Sequence, residues 1–141
     1  MPEVVHFSEM TLREVLHAHI PFLTAESTVR DAVDKMDIYQ FPALVIIDLD
    51  QIPIAVITEG DLCRAVTQQD NLVNMASQPA YRYASKEPTT ATADTEIGDA
   101  FHRMLMSGLT LLPVTEAGRL VGVVLRVDLM QAMLVDVQAK A

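Results

Sequence analysis

The chain has 141 residues, half of them apolar, and a mean hydropathy of +0.25. That is enough for one globular domain with a sizeable core, whereas either half alone would be marginal. Nineteen acidic against ten basic residues leave a formal charge of −9, which argues against a nucleic-acid partner that depends on basic surface.

No run of apolar residues is long enough to span a bilayer, so no membrane insertion is expected. The opening MPEVVHFSEM lacks a basic n-region, and no secretory signal is read there. The one cysteine, Cys63, excludes an internal disulfide and points to a reducing, cytoplasmic setting. It lies in the apolar stretch DLCRAV and is expected to be a buried structural thiol. Met1 and the short tail suggest a complete small protein.

Residues 11–17 (TLREVLH) predict a short helix with Leu12, Val15 and Leu16 inward. Pro21 and an apolar pair predict an extended segment over 20–25. Ser27 or Thr28 should cap a helix to about Tyr39, Thr28 and Asp31 forming a loose capping box. Val29, Ala32, Val33 and Met36 share one face of that helix, and Phe41-Pro42 ends it. Residues 43–47 (ALVII) read as a buried strand, 48–51 as a turn, and 54–58 (IAVIT) as a second strand. Asp61 is expected to open a further helix through about Val66. Residues 67–88 form a connection, polar and then mixed, with Pro79 and Pro88. A helix over about Thr95–Ser107 follows, with Ile97, Ala100, Phe101, Met104 and Leu105 inward. The strand LLPVT, a turn at Ala117-Gly118, the strand LVGVVL and a last helix from Asp128 to about Val137 complete the chain. The two central strands of each half, joined by a tight turn, should be antiparallel.

The second half restates the first. Val29, Ala32 and Met36 recur 68 residues later as Ile97, Ala100 and Met104. Ala55, Val56 and Asp61 recur 67 residues later as Gly122, Val123 and Asp128. The offset changes in the turn around Asp50, where an insertion costs little. Two copies imply one α/β (α+β) domain made of repeats 1–70 and 71–141. Each is strand-helix-strand-strand-helix, and the two are expected to share a core as a pseudo-twofold pair.

This order resembles the CBS domain, of which two tandem copies form a Bateman module. Gly108, Pro113, Gly118, Gly122 and Asp128 of the second repeat match the familiar run, and the likeness covers about residues 8–137. The first repeat departs from it, with Val45 for the strand proline, Gln51 for the turn glycine and Ala55 for the strand glycine. The resemblance implies regulation rather than catalysis. Such pairs commonly bind AMP, ADP, ATP or S-adenosylmethionine between the copies and control a partner protein. No cofactor is required, and the chain resembles a stand-alone pair.

The family's ribose-phosphate signature falls on Ala55-Val56-Ile57-Thr58-Glu59-Gly60-Asp61. An ionised Asp61 could accept both ribose hydroxyls while the Thr58 hydroxyl reaches ribose or phosphate. Asp61 as a helix cap is the plain alternative, and the two roles are compatible. In the second repeat the signature reads Gly122 to Asp128, with Leu125 in place of the hydroxyl residue and Arg126 as a source of phosphate charge or a solvated side chain. Carried over by position, Asp61 would face Thr90 and Leu109-Thr110-Leu111, which would hold adenine. Asp128 would face Phe22 and Phe41-Pro42-Ala43 in a second-ranked cleft. Gly60 and Val127 stand where many relatives have a hydroxyl, and no basic residue lies near Thr110 or Leu111.

His17 and His19, two apart, point to different sides of a helix, so no metal site is expected; His6 and His102 read as surface or interface residues. Met130 and Met133 beside Leu129 and Leu134 read as core or dimer interface. No Ser-His-Asp or Cys-His constellation, phosphate-binding G-x-x-x-x-G-K-[ST] loop or C-x-x-C is present, so an enzyme is not expected. Two functions follow: a sensor of an adenosine-containing ligand acting on an unidentified regulated protein, or a ligand-independent module that homodimerises and docks a partner, its clefts vestigial.

Overall fold

The computed structural model describes residues 10–68 and 71–140, with side chains described through 135. His6 therefore lies outside the described residues. Two compact units are formed. The first-repeat unit gathers residues 20–89 with 117–120; the second-repeat unit gathers the described residues up to 19 with 90–116 and those from 121 onward.

The first-repeat unit begins with β1 (Phe22–Thr24), which pairs parallel with β2 (Ala43–Ile47) across helix α1 (Val29–Tyr39). The Thr28–Asp31 box is real: the Asp31 amide donates to Thr28 Oγ1 at 3.1 Å and the Thr28 amide to Asp31 Oδ2 at 2.8 Å. Strand β3 (Pro53–Thr58) runs antiparallel to β2 with Ala43 opposite Thr58. The turn between them is built by Asp48, whose Oδ1 accepts the amides of Asp50 and Ile52 at 2.9 Å each. Helix α2 (Glu59–Gln68) follows directly, two residues earlier than expected. Leu23, Leu44, Ile46, Ile57, Leu62 and Met75 make the centre of this unit's core.

The connection holds more structure than its composition suggests. It contains α3 (Leu72–Met75), a 3-10 turn (Ala80–Tyr83) and the short strand β4 (Ser85–Lys86). Strand β4 adds to β3 as the fourth strand, Ser85 opposite Val56 and Lys86 opposite Ala55.

In the second-repeat unit β5 (Ala91–Thr92) pairs parallel with β6 (Leu111–Glu116), and α4 (Ile97–Met106) crosses between them. Strand β7 (Arg119–Leu125) lies beside β6 after a two-residue turn. Ala117 and Gly118 both have positive φ, the geometry that suits a tight antiparallel hairpin. Helix α5 (Arg126–Lys140) starts two residues before Asp128. Leu12, Ile97, Met104, Leu112, Val124 and Leu129 centre this core. Leu105, expected inward, is exposed near the end of α4. The helix expected over 11–17 is a single 3-10 turn, Leu12–Glu14, because the chain beyond it straightens to pair His17 with Val123.

The repeat extends to single hydrogen bonds. The Val29 amide donates to Gln78 O at 2.8 Å, and its counterpart Ile97 donates to Met10 O at 3.1 Å. Ala80 donates to Ser27 O at 2.9 Å, and Leu12 donates to Thr95 O at 3.0 Å. The pair Ser85–Val56 has its counterpart in His17–Val123. The segment in front of each repeat is thus built into the unit of the other repeat, which is why the units do not divide at residue 70 as the sequence period does.

Candidate functional site

The register of the first sheet collects its sequence-derived residues at one end of the unit. In the first-repeat unit Phe22 starts β1, Ala43 starts β2 and Thr58 ends β3; the Glu59 amide donates to Pro42 O at 3.0 Å. Phe41 and Pro42 are half-buried, Ala43 is buried, and Phe22 is exposed with Lys35 Nζ on its carbonyl at 2.8 Å.

Thr58 and Asp61 form a reciprocal pair across the β3–α2 junction. The Thr58 amide donates to Asp61 Oδ2 at 2.9 Å, and the Asp61 amide donates to Thr58 Oγ1 at 3.0 Å. Two donors of the helix start are satisfied at once, which fixes where the carboxylate stands. Asp61 therefore lies within the first turn of α2, and Thr58 takes the capping position. Arg64 Nη2 donates to Asp61 Oδ1 at 2.7 Å; the carboxylate side chain is only 13% exposed and the arginine 68%. Arg64 has no counterpart in the sequence-derived site. Its spacing of three from Asp61 on one helix was the available signal.

The second-repeat unit carries Thr90, Leu109–Leu111, Arg126 and Asp128. Thr90 immediately precedes β5 and its carbonyl accepts Arg103 Nη1 at 2.9 Å. The Leu109 amide donates to Met104 O at 2.9 Å; Leu109 and Thr110 are half-buried and Leu111 is buried at the start of β6. Arg126 is exposed. Asp128 Oδ2 accepts the Leu125 amide at 2.7 Å, but no hydroxyl completes the pair. The imidazole of His17 bonds the same carboxylate oxygen as the Leu125 amide, Nε2 to Oδ2 at 2.9 Å. His17 was read only as a weak metal candidate; the bridge that brings it to Asp128 spans more than a hundred residues of chain and leaves no local pattern.

Gly122 explains how His17 comes so close. A Cβ there would stand 2.5 Å from the His17 carbonyl oxygen and 2.6 Å from Leu16 Cδ1. Its counterpart Ala55 carries a Cβ, is fully buried, and faces Lys86 of β4 instead.

Cys63 is exposed, contrary to the buried thiol expected from its apolar neighbours. Leu62 and Ala65 point into the core, and a helix that buries those positions turns Cys63 outward. Cys63 instead lines a groove of about 500 Å³ in the first-repeat unit, with Val33, Met36, Phe41, Leu62, Val66 and Leu72 among its walls. Among the described residues no cluster of three or more His, Cys, Asp or Glu could hold a metal ion, and no helix is long and apolar enough to cross a membrane.

Two βαββα repeats, each ending in a strand–helix junction with an aspartate in the first helical turn, define the class of tandem regulatory modules. The family model for the CBS domain matches residues 10–68 and again 80–135, so the chain belongs to the CBS-domain family, a family of regulatory, non-catalytic modules. An uncharacterized 17.7 kDa protein of Acidianus ambivalens is 32% identical over 108 residues, 76% of this chain and 63% of that protein. The match thus spans less than two thirds of that relative's length. The structure of CBSX2 in complex with AMP superposes with a TM-score of 0.78 at 21% identity, covering 93% of this chain and 98% of that one. AcuB of Vibrio cholerae superposes with a TM-score of 0.80 at 18% identity, covering 94% and 97%. At these identities the two structures speak for the fold alone.

Proposed function

We propose that this protein is a sensor that binds an adenosine-containing ligand at the β3–α2 junction and modulates a partner protein. The observation that carries this reading is the completed Thr58–Asp61 pair. It holds a half-buried carboxylate and a hydroxyl side by side at the end of a strand. An ionised carboxylate in such a place accepts the vicinal hydroxyls of a ribose. AMP, ADP, ATP and S-adenosylmethionine are the candidates, and the related CBSX2 has been crystallised with AMP. Asp128, with Arg126, ranks second because Leu125 supplies no hydroxyl and His17 is already bonded to the carboxylate. Thermal unfolding with each compound at millimolar concentration tests the reading. A ligand at 100 times its Kd should stabilise by about 2.7 kcal/mol. No shift with any of the four would remove the proposal.

A second reading, a homodimerising interaction module, is favoured by one observation. Val127, Met130 and Leu134 lie on one side of α5 and are 54%, 45% and 59% exposed. A second copy of this chain is the occupant proposed for that stripe, since helix faces of this kind are rarely left in water. Light scattering should then give a dimer that Leu134→Glu converts to monomer. A monomeric parent protein would sink this reading.

A further inference from the structure

The two oxygens of Asp61 are held in unequal ways. Oδ2 accepts the Thr58 amide, a bond built into the start of α2. Oδ1 accepts Arg64 Nη2, from a side chain that is 68% exposed. An ion pair whose cation stays in water gains little from the contact and can exchange it. Gly60 sets where the guanidinium lies: a Cβ at that position would stand 3.2 Å from Arg64 Nη1 and 3.6 Å from Thr58 Oγ1. The cation is thus folded back over the first turn of α2, next to the hydroxyl and carboxylate that the proposed function gives to ribose.

We infer that Arg64 is the phosphate-recognising residue of this site and trades partners when ligand binds. The ribose hydroxyls take Asp61 Oδ1, and the released guanidinium turns to the phosphate attached to the same ribose. This rests on the ribose reading of Asp61 given above. The planar fork of arginine suits a phosphate, which offers it two oxygens at once. In a chain of net charge −9 a phosphate needs such a local cation, and Glu59 and Asp61 otherwise make this turn negative. A single guanidinium beside those two carboxylates favours a nucleoside monophosphate over more highly charged nucleotides. The second repeat cannot make the exchange. Gln131 stands where Arg64 stands, 67 residues on. Asp128 is held by His17, whose backbone exchanges two hydrogen bonds with Val123 at 2.9 and 3.1 Å. The ligand therefore binds once per chain.

Calorimetric titration of the full chain with AMP and with adenosine tests this. The parent protein should bind one AMP per chain and prefer it to adenosine by about tenfold or more, the usual worth of a charge-assisted hydrogen bond. Arg64→Gln should abolish the preference while leaving adenosine binding equal or tighter, because Asp61 is then unshielded. Arg64→Lys should restore part of it. Circular dichroism should show both variants folded, as expected for an exposed side chain. An Arg64→Gln variant that keeps the full AMP preference overturns the inference but leaves the ribose reading standing. A parent protein that binds neither compound overturns both.

Discussion

At the β3–α2 junction the Asp61 carboxylate works with a hydroxyl beside it and an exposed arginine on its own helix. At the equivalent β7–α5 junction Asp128 works with the Leu125 amide and with an imidazole delivered from the start of the chain. Both aspartates tie the start of a helix to the end of a strand, so both are part of the fold. They differ in what else holds the carboxylate: Arg64 bonds the oxygen of Asp61 that the amide leaves open, whereas His17 bonds the same oxygen of Asp128 that the Leu125 amide uses. Around Asp61 the competing group is exposed and tethered only through its own side chain. Around Asp128 it is carried by a segment clamped to β7 through paired main-chain bonds. A repeated sequence can thus keep its architecture twice while changing the partners of the equivalent carboxylate.

The comparison can be broken most directly at the two carboxylates. Asp61→Ala should remove the ligand-induced stabilisation, about 2.7 kcal/mol at 100 times Kd, whereas Asp128→Ala should retain it. Paired melting curves with and without AMP would decide, and the reverse ranking would assign the site to the wrong repeat. Next in size is the close approach behind Asp128. Gly122→Ala should cost about 1–3 kcal/mol, because its Cβ meets the His17 main-chain carbonyl, which cannot yield as the Leu16 side chain can. Ala55→Gly, the converse change in the first repeat, should cost about 1–2 kcal/mol, from backbone entropy and the lost burial of one methyl group. Urea unfolding of both variants measures the difference. Thr58→Ala should cost about 1 kcal/mol of stability through the lost cap, a contribution that Leu125 never makes.

The smallest effect concerns pH. The Thr28 amide, above all, holds the Asp31 carboxyl below the usual carboxylate range, helped by the Thr28 hydroxyl and Lys35 against a desolvation cost. The folded state therefore binds this proton less readily than the unfolded chain. Its contribution is complete above the unfolded-chain value and lost as pH falls through the folded one. Asp31→Asn should flatten the acid limb of stability between about pH 5 and 2. Helix α4 begins at Glu96 without a side-chain cap bond, so this contribution belongs to the first repeat. Equal acid limbs for the parent and the variant would contradict it.

Much of this was legible in the chain. Helical spacing placed α1 and α4 within two residues, the run ALVII gave β2, and the Thr28–Asp31 box appeared with both hydrogen bonds. The Thr58–Asp61 spacing marked the junction where the reciprocal pair is found. Less was legible between 71 and 86, where α3 and β4 are too short to show a period. The Gln51 turn shows how a repeat can hide its own equivalence. Gln51 takes the positive φ of its counterpart Gly118, so the backbone repeats where the residue type does not.

Local periodicity, capping chemistry and the internal repeat are properties of neighbours in the chain, and they settled the element order and the place of both aspartates. Which segment completes each sheet was settled elsewhere. Ser85 and His17 reach β3 and β7 because strand edges offer unpaired amides and carbonyls to whatever chain lies near, not to a particular sequence. The outward turn of Cys63 and the partners of the two carboxylates followed from that packing. Those contacts depend on distances through space, which the order of residues alone does not carry.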